Sequence, residues 1–85
     1  MKRRVIISGP ARRDLRRLTP NVATRILDAI SRFAETEIGD VVRLHGSPIE
    51  YRLRVGDWRV RFRIGGENDV IEIIRVLPRG RAYRD

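Results

Sequence analysis

Tyr51-Arg52-Leu53-Arg54-Val55-Gly56-Asp57-Trp58-Arg59-Val60-Arg61-Phe62-Arg63-Ile64 decides the fold. Successive side chains of an extended strand point to opposite faces. Tyr51, Leu53 and Val55 therefore share one side and Arg52 and Arg54 the other, while Trp58, Val60, Phe62 and Ile64 oppose Arg59, Arg61 and Arg63. Gly56-Asp57 has the composition of a two-residue hairpin loop. That loop sets Val55 opposite Trp58, Arg54 opposite Arg59 and Arg52 opposite Arg61. One face of the hairpin is apolar and the other is almost pure arginine. Like charges directly opposite each other cost stability, and a face needed only for solubility would interleave signs. The arginine face therefore reads as a surface built for an anion.

Downstream, Val70 to Leu77 is a third β-branched run, separated from the hairpin by Gly65-Gly66-Glu67-Asn68. A four-residue loop there would pair Asp69 with Ile64 and Glu72 with Arg61, making Glu72 the one acid on the arginine face and a cross-strand ion pair more than a catalytic base. Upstream, Asp40 to Pro48 holds turn formers and no sustained period, with Val42 and Leu44 fit for a short extended piece. Before it, Val22, Ala23, Ile26, Leu27, Ile30 and Phe33 keep a 3.6-residue period, started by Thr19-Pro20 and stopped at Gly39. Ala11, Leu15 and Leu18 form the stripe of a shorter helix that Ser8 can cap, with Pro10 in its first turn and Arg12, Arg13, Arg16 and Arg17 turned outward. The two helices, joined at Thr19, should form an antiparallel hairpin. Arg4 to Ile7 is an opening strand. The expected fold is α+β, a single domain over 1–85 in which a two-helix hairpin packs on a small antiparallel sheet. Leu15, Ile26, Ile30, Leu53, Val60, Phe62 and Ile73 are its expected core.

The balance of residues agrees. Of 85 residues, 41% are hydrophobic and 35% charged, too apolar for disorder and too often interrupted by charge for a membrane span. The formal net charge is +8, and Lys2 is the only lysine among nineteen basic residues. Such a field favours a polyanion, nucleic acid first. Guanidinium binds phosphate with two hydrogen bonds but is a poor proton acceptor. With no cysteine and one histidine, disulfides, thiolate metal sites and paired-histidine catalysis are excluded, and neither metal nor cofactor is expected. His45, beside Gly46, receives no role. The apolar run Val5 to Ile7 is too short for a signal peptide, so the expected location is cytoplasmic. Trp58 and Phe62 fall on the apolar phase and read as core. Tyr83 stands among Arg79, Arg81 and Arg84 with no apolar period around it. It could stack on a base, present its hydroxyl beside several cations, or pin the tail to the sheet.

Ala11-Arg12-Arg13-Asp14-Leu15 with Leu18, then Val42-Arg43-Leu44-His45-Gly46, the hairpin itself, and the closing Arg75-Val76-Leu77-Pro78-Arg79-Gly80-Arg81-Ala82-Tyr83-Arg84 occur in an order that resembles the RelE/ParE superfamily of toxins from type II toxin-antitoxin operons. The resemblance covers essentially the whole chain. RelE-type members are ribosome-dependent, metal-independent ribonucleases that cut mRNA in the A site, the 2′-hydroxyl attacking the adjacent phosphate. The resemblance implies catalytic roles for Arg59, Arg79 and Tyr83 and RNA binding by Arg52, Arg54, Arg61 and Arg81. It also implies a cognate antitoxin, an acidic protein with an amphipathic segment, in a toxin-antitoxin hetero-oligomer without membrane contact. Arg52 and Arg54 stand where the family has lysines, and Pro78 where many relatives have histidine. Proton abstraction would then fall to Tyr83 or Glu72, or the reaction would rely on charge stabilisation alone. Two other readings stand beside the nuclease. One is a ParE-type inhibitor of DNA gyrase, whose arginines would be a docking surface, and the other is an RNA-binding module without catalysis.

Overall fold

The computed structural model describes residues 3–66 and 69–80. In chain order these are β1 (Val5–Ile7), α1 (Gly9–Arg16), α2 (Pro20–Thr36), β2 (Val41–Arg43), β3 (Glu50–Val55), β4 (Trp58–Gly65) and β5 (Val70–Pro78). The strands form one sheet in the order β1-β5-β4-β3-β2. β3, β4 and β5 are the expected antiparallel meander, and β2 adds itself antiparallel to β3. The opening strand is the exception, because β1 runs parallel to β5, making the sheet mixed.

The hairpin register is the one its turn demands: Val55 pairs with Trp58, Arg54 with Arg59 and Arg52 with Arg61. Gly56 has φ +59, a conformation in which a side chain would be strained. The β4–β5 register departs from expectation. Gly65 pairs with Val70 and Ile64 with Ile71, so the loop lies one residue later than supposed and the register moves by two, setting Glu72 opposite Arg63, not Arg61. Further along, Phe62 pairs with Ile73 but Arg61 with Arg75, leaving Ile74 as an extra residue. Strict alternation from Ile71 and Ile73 would drive Arg75 into the core. The bulge at Ile74 removes that conflict and brings Val76 inward instead.

The apolar face of the sheet meets the two helices. Ala11, Ile26, Ile30, Phe33 and Ala34 from the helices enclose Leu53, Val60, Phe62, Ile71, Ile73 and Val76. Phe62 is central, with its ring 5.4 Å from Phe33 and stacked on Tyr51 at 5.5 Å. Of the expected core, Leu15 is only partly buried, packed against this cluster from the short helix. Ser8 caps α1 as expected, its Oγ accepting from the Ala11 N–H at 3.2 Å and donating to the Ile74 carbonyl at 3.0 Å.

α2 stops earlier than Gly39. Glu37 takes the left-handed cap position at φ 62 and lies 3.4 Å from Arg3. Gly39 serves packing instead, since a Cβ there would come within 3.1 Å of Leu53 Cδ1. No helix among the described residues is long and apolar enough to cross a membrane.

Candidate nucleic-acid interface

The face of the sheet away from the helices carries the candidate site. Register places its side chains in three rows across the strands. The first is Leu77, Arg59 and Arg54; the second Arg75, Arg61, Arg52 and Val42; the third Ile6, Glu72, Arg63 and Glu50. The arginines named by alternation do share a face. They do not share an environment.

Arg54 is the most open, with 61% of its side chain exposed, and its Nε lies 2.7 Å from Asp40 Oδ2 at the rim. Arg61 is largely covered, 16% exposed, and its Nη2 lies 3.6 Å from Glu50 Oε1. Glu50 is a residue the sequence reading passed over. It precedes Arg52 by two in the same strand, so alternation alone puts it on the arginine face as a second acid. Glu72 reaches the face as expected but pairs with Arg63, at 3.3 Å. Arg52 lies between, directly opposite Arg61. Glu50 and Glu72 thus offset part of the charge at one end of the sheet, and the positive excess falls toward the hairpin turn.

At that turn Arg59 is only 5% exposed. Its Nη1 donates to the Gly56 carbonyl at 2.9 Å and to the Trp58 carbonyl at 3.0 Å. The guanidinium therefore braces the hairpin loop that precedes it. Arg79 is exposed just beyond β5, and its backbone N–H donates to the Asp57 carbonyl at 2.9 Å. Arg59 and Arg79 are thus tied to the same turn from two sides. Arg81 and Tyr83 lie outside the described residues. Among the described residues no group of three or more His, Asp or Glu could hold a metal ion.

The strongest polar construction is one the sequence reading did not single out. Asp14 falls on the Ala11, Leu15, Leu18 stripe of α1 and is buried, a place where a carboxylate needs partners. Arg75 supplies them bidentately, through Nε at 2.8 Å and Nη2 at 3.1 Å, and the Val76 N–H donates at 2.9 Å. β1 pairs with β5 only as far as Ile73, and Asp14 takes over the open edge beyond it. Burial alone would raise the Asp14 pKa. The hydrogen bonds from Arg75 and Val76, with the charges of Arg75 and Arg17, outweigh it and hold the carboxyl below its ordinary value. The signal was available, because an acid in a helical apolar stripe calls for a buried partner.

Two helices on one face of a five-stranded mixed sheet, with arginine on the other, define a small α+β fold, and similarity to known proteins gives its family. The sequence matches the model of the ParE toxin of type II toxin-antitoxin systems over residues 5–83. The structure resembles the archaeal RelE–RelB complex from Pyrococcus horikoshii, with a TM-score of 0.79, 30% identity, and coverage of 95% of this chain and 99% of that one. It also resembles the RelBE2 toxin-antitoxin complex from Mycobacterium tuberculosis, with a TM-score of 0.75, 26% identity, and coverage of 93% and 100%. A mutant E. coli RelE toxin in the free state shares the fold at a TM-score of 0.78 and 18% identity, over 99% of this chain and 90% of that chain. No curated protein sequence matches closely enough to count as a relative. The chain belongs to the RelE/ParE family of type II toxins.

Proposed function

We propose that this toxin is an endoribonuclease that cuts mRNA in the ribosomal A site and is held in check by a cognate antitoxin. The observation that carries the reading is the in-register pairing of Arg52 with Arg61 and Arg54 with Arg59, with Arg79 at the same end of the sheet. Mutual repulsion in such an array is relieved by a polyphosphate strand. In the reaction the 2′-oxygen bonds to the adjacent phosphorus and the P–O5′ bond breaks, giving a 2′,3′-cyclic phosphate and a 5′-hydroxyl. The 2′-hydroxyl proton is lost and O5′ gains one. Arginines serve the negative charge that builds on the phosphoryl oxygens between those events.

Arg79, exposed beside the turn, is the proposed phosphate ligand. Arg59, committed to two backbone carbonyls, contributes by holding the turn to which Arg79 is tied. Arg52, Arg54, Arg61 and Arg81 position the RNA, and Tyr83 is the proposed orienting or proton-accepting hydroxyl. The antitoxin follows from likeness to the RelE–RelB complexes, with acidic residues meeting the arginines.

Gyrase inhibition is the second reading, favoured by the match to the ParE model and by arginines that stay protonated where a base is needed. Toeprinting on purified translating ribosomes separates the two. Cleavage should appear with wild type, and Arg79→Ala should lower its rate by about 10²–10³-fold, as for loss of one preorganised donor, with ribosome binding changed far less. A protein that cuts no mRNA but traps gyrase on cleaved DNA would overturn the nuclease reading.

A further inference from the structure

α1 presents Arg12, Arg13, Arg16 and Arg17, all exposed and none in an ion pair among the described residues. Their spacing sets Arg12 beside Arg16 and Arg13 beside Arg17 on the helix surface, like-charge pairs that weaken a helix. No acid stands in its first turn to offset them. None of this serves the core, which α1 reaches through Ala11 and Leu15.

Arg13 and Arg17 border a hollow of about 270 Å³ whose other walls are Pro10, Asp14 and Arg75. Both Asp14 oxygens are engaged by Arg75, and one also by the Val76 N–H. Three guanidinium groups against one satisfied carboxylate leave the hollow strongly cationic. Through Asp14, Arg17 and Arg75 it adjoins a second hollow of about 230 Å³, with Leu18, Trp58 and Pro78 among its walls. Trp58, which alternation puts on the core side, packs against the core but is only half-buried and contributes to this cleft. Each hollow is smaller than the roughly 300–1,000 Å³ of a small-molecule site. A cationic niche beside an apolar one suits the two halves of a nucleotide.

We propose that these adjoining hollows form a second RNA site, bordering the arginine face at Arg75, that takes one unstacked nucleotide with its phosphate on Arg13 and Arg17 and its base against Leu18, Trp58 and Pro78. Guanidinium forks suit the phosphate, and an aromatic and apolar wall suits a base without reading its sequence. The proposal rests on the nuclease reading only in taking RNA as the ligand.

Trp58 is the only tryptophan, so its fluorescence reports this cleft directly. The full chain, freed of antitoxin, is titrated with a single-stranded uridine tetranucleotide. Saturable quenching that weakens with salt is expected. Arg13→Ala with Arg17→Ala should raise the midpoint by on the order of 10-fold or more, for loss of two charge-assisted contacts, while the charge-matched Arg25→Ala with Arg32→Ala, at exposed positions of α2, leaves it in place. Circular dichroism checks the fold. Should the double alanine variant unfold, single Arg13→Gln and Arg17→Gln changes, at exposed positions and with good helix formers, make the same comparison. Absence of quenching, or equal losses from the two variant pairs, would overturn the site. Displacement of the RNA by a poly-glutamate peptide at equal charge would make it an acidic-peptide surface instead. No step requires cleavage, so loss of the nuclease reading on ribosomes and loss of this site are read separately.

Discussion

Asp14 shows how much one side chain can hold. It closes the edge of β5 that β1 leaves open and receives both the Arg75 fork and the Val76 N–H. Asp14→Ala strands that N–H and takes from a partly buried guanidinium both of its bonds to the carboxylate, so a loss of about 2–3 kcal/mol is expected by denaturant unfolding, the lower range for breaking a buried pair because Arg75 partly reaches water. Asp14→Asn gives the pH signature. A carboxyl whose folded pKa is lowered stabilises fully above its unfolded value, about 3.9, and loses that contribution as pH falls through the folded value. The gap in stability between wild type and Asp14→Asn should therefore be flat from neutral to about pH 5 and shrink below about pH 4. A gap unchanged down to the acid transition would show that the charge is not what the site uses. Asp14 was legible by position, being on the stripe with Ala11 and Leu18, but not by partner. Arg75 is 61 residues away, and nothing local connects them.

At the scale of elements, period and turn chemistry carried most of the information. The Gly56-Asp57 loop set the β3–β4 register correctly because two-residue loops permit few geometries. The longer loop before β5 constrains less, and there the expected partner of Glu72 was off by two residues although its face was right. Parallel pairing of β1 with β5 had no local signal. Gly39 was read as a helix stop, yet its structural reason is the approach of Leu53. Gly39→Ala removes chain entropy from the unfolded state, worth about 0.4–1 kcal/mol, but overpacking typically costs about 1–3 kcal/mol, so net destabilisation near 1 kcal/mol is expected. Leu53→Ala alone should cost about 2–5 kcal/mol. Combined, the two should be less harmful than their sum, because the shortened side chain removes the clash. Additivity in urea unfolding would count against the contact.

For the molecule as a whole, arginine surfaces on the sheet and on α1 together with a net charge of +8 set how partners are found. Exposed charges act over about 10 Å at 0.1 M salt, so antitoxin association should slow and weaken as ionic strength rises. Stopped-flow association at low and high salt checks this, and a rate indifferent to salt would assign the contact to apolar surface and leave the arginines free. The arginine face was legible from alternation alone, whereas its internal differences were not, since exposure depends on which strand lies alongside. The bulge in β5 bears on this final point. Five residues, Ile73 to Leu77, stand against four, Arg59 to Phe62, and a strand that outcounts its neighbour must bow. The bow and the added twist turn β5 locally out of line with β4. With equal counts on both strands Arg75 would change sides, and the outer surface would lose the cation that stands opposite Arg61.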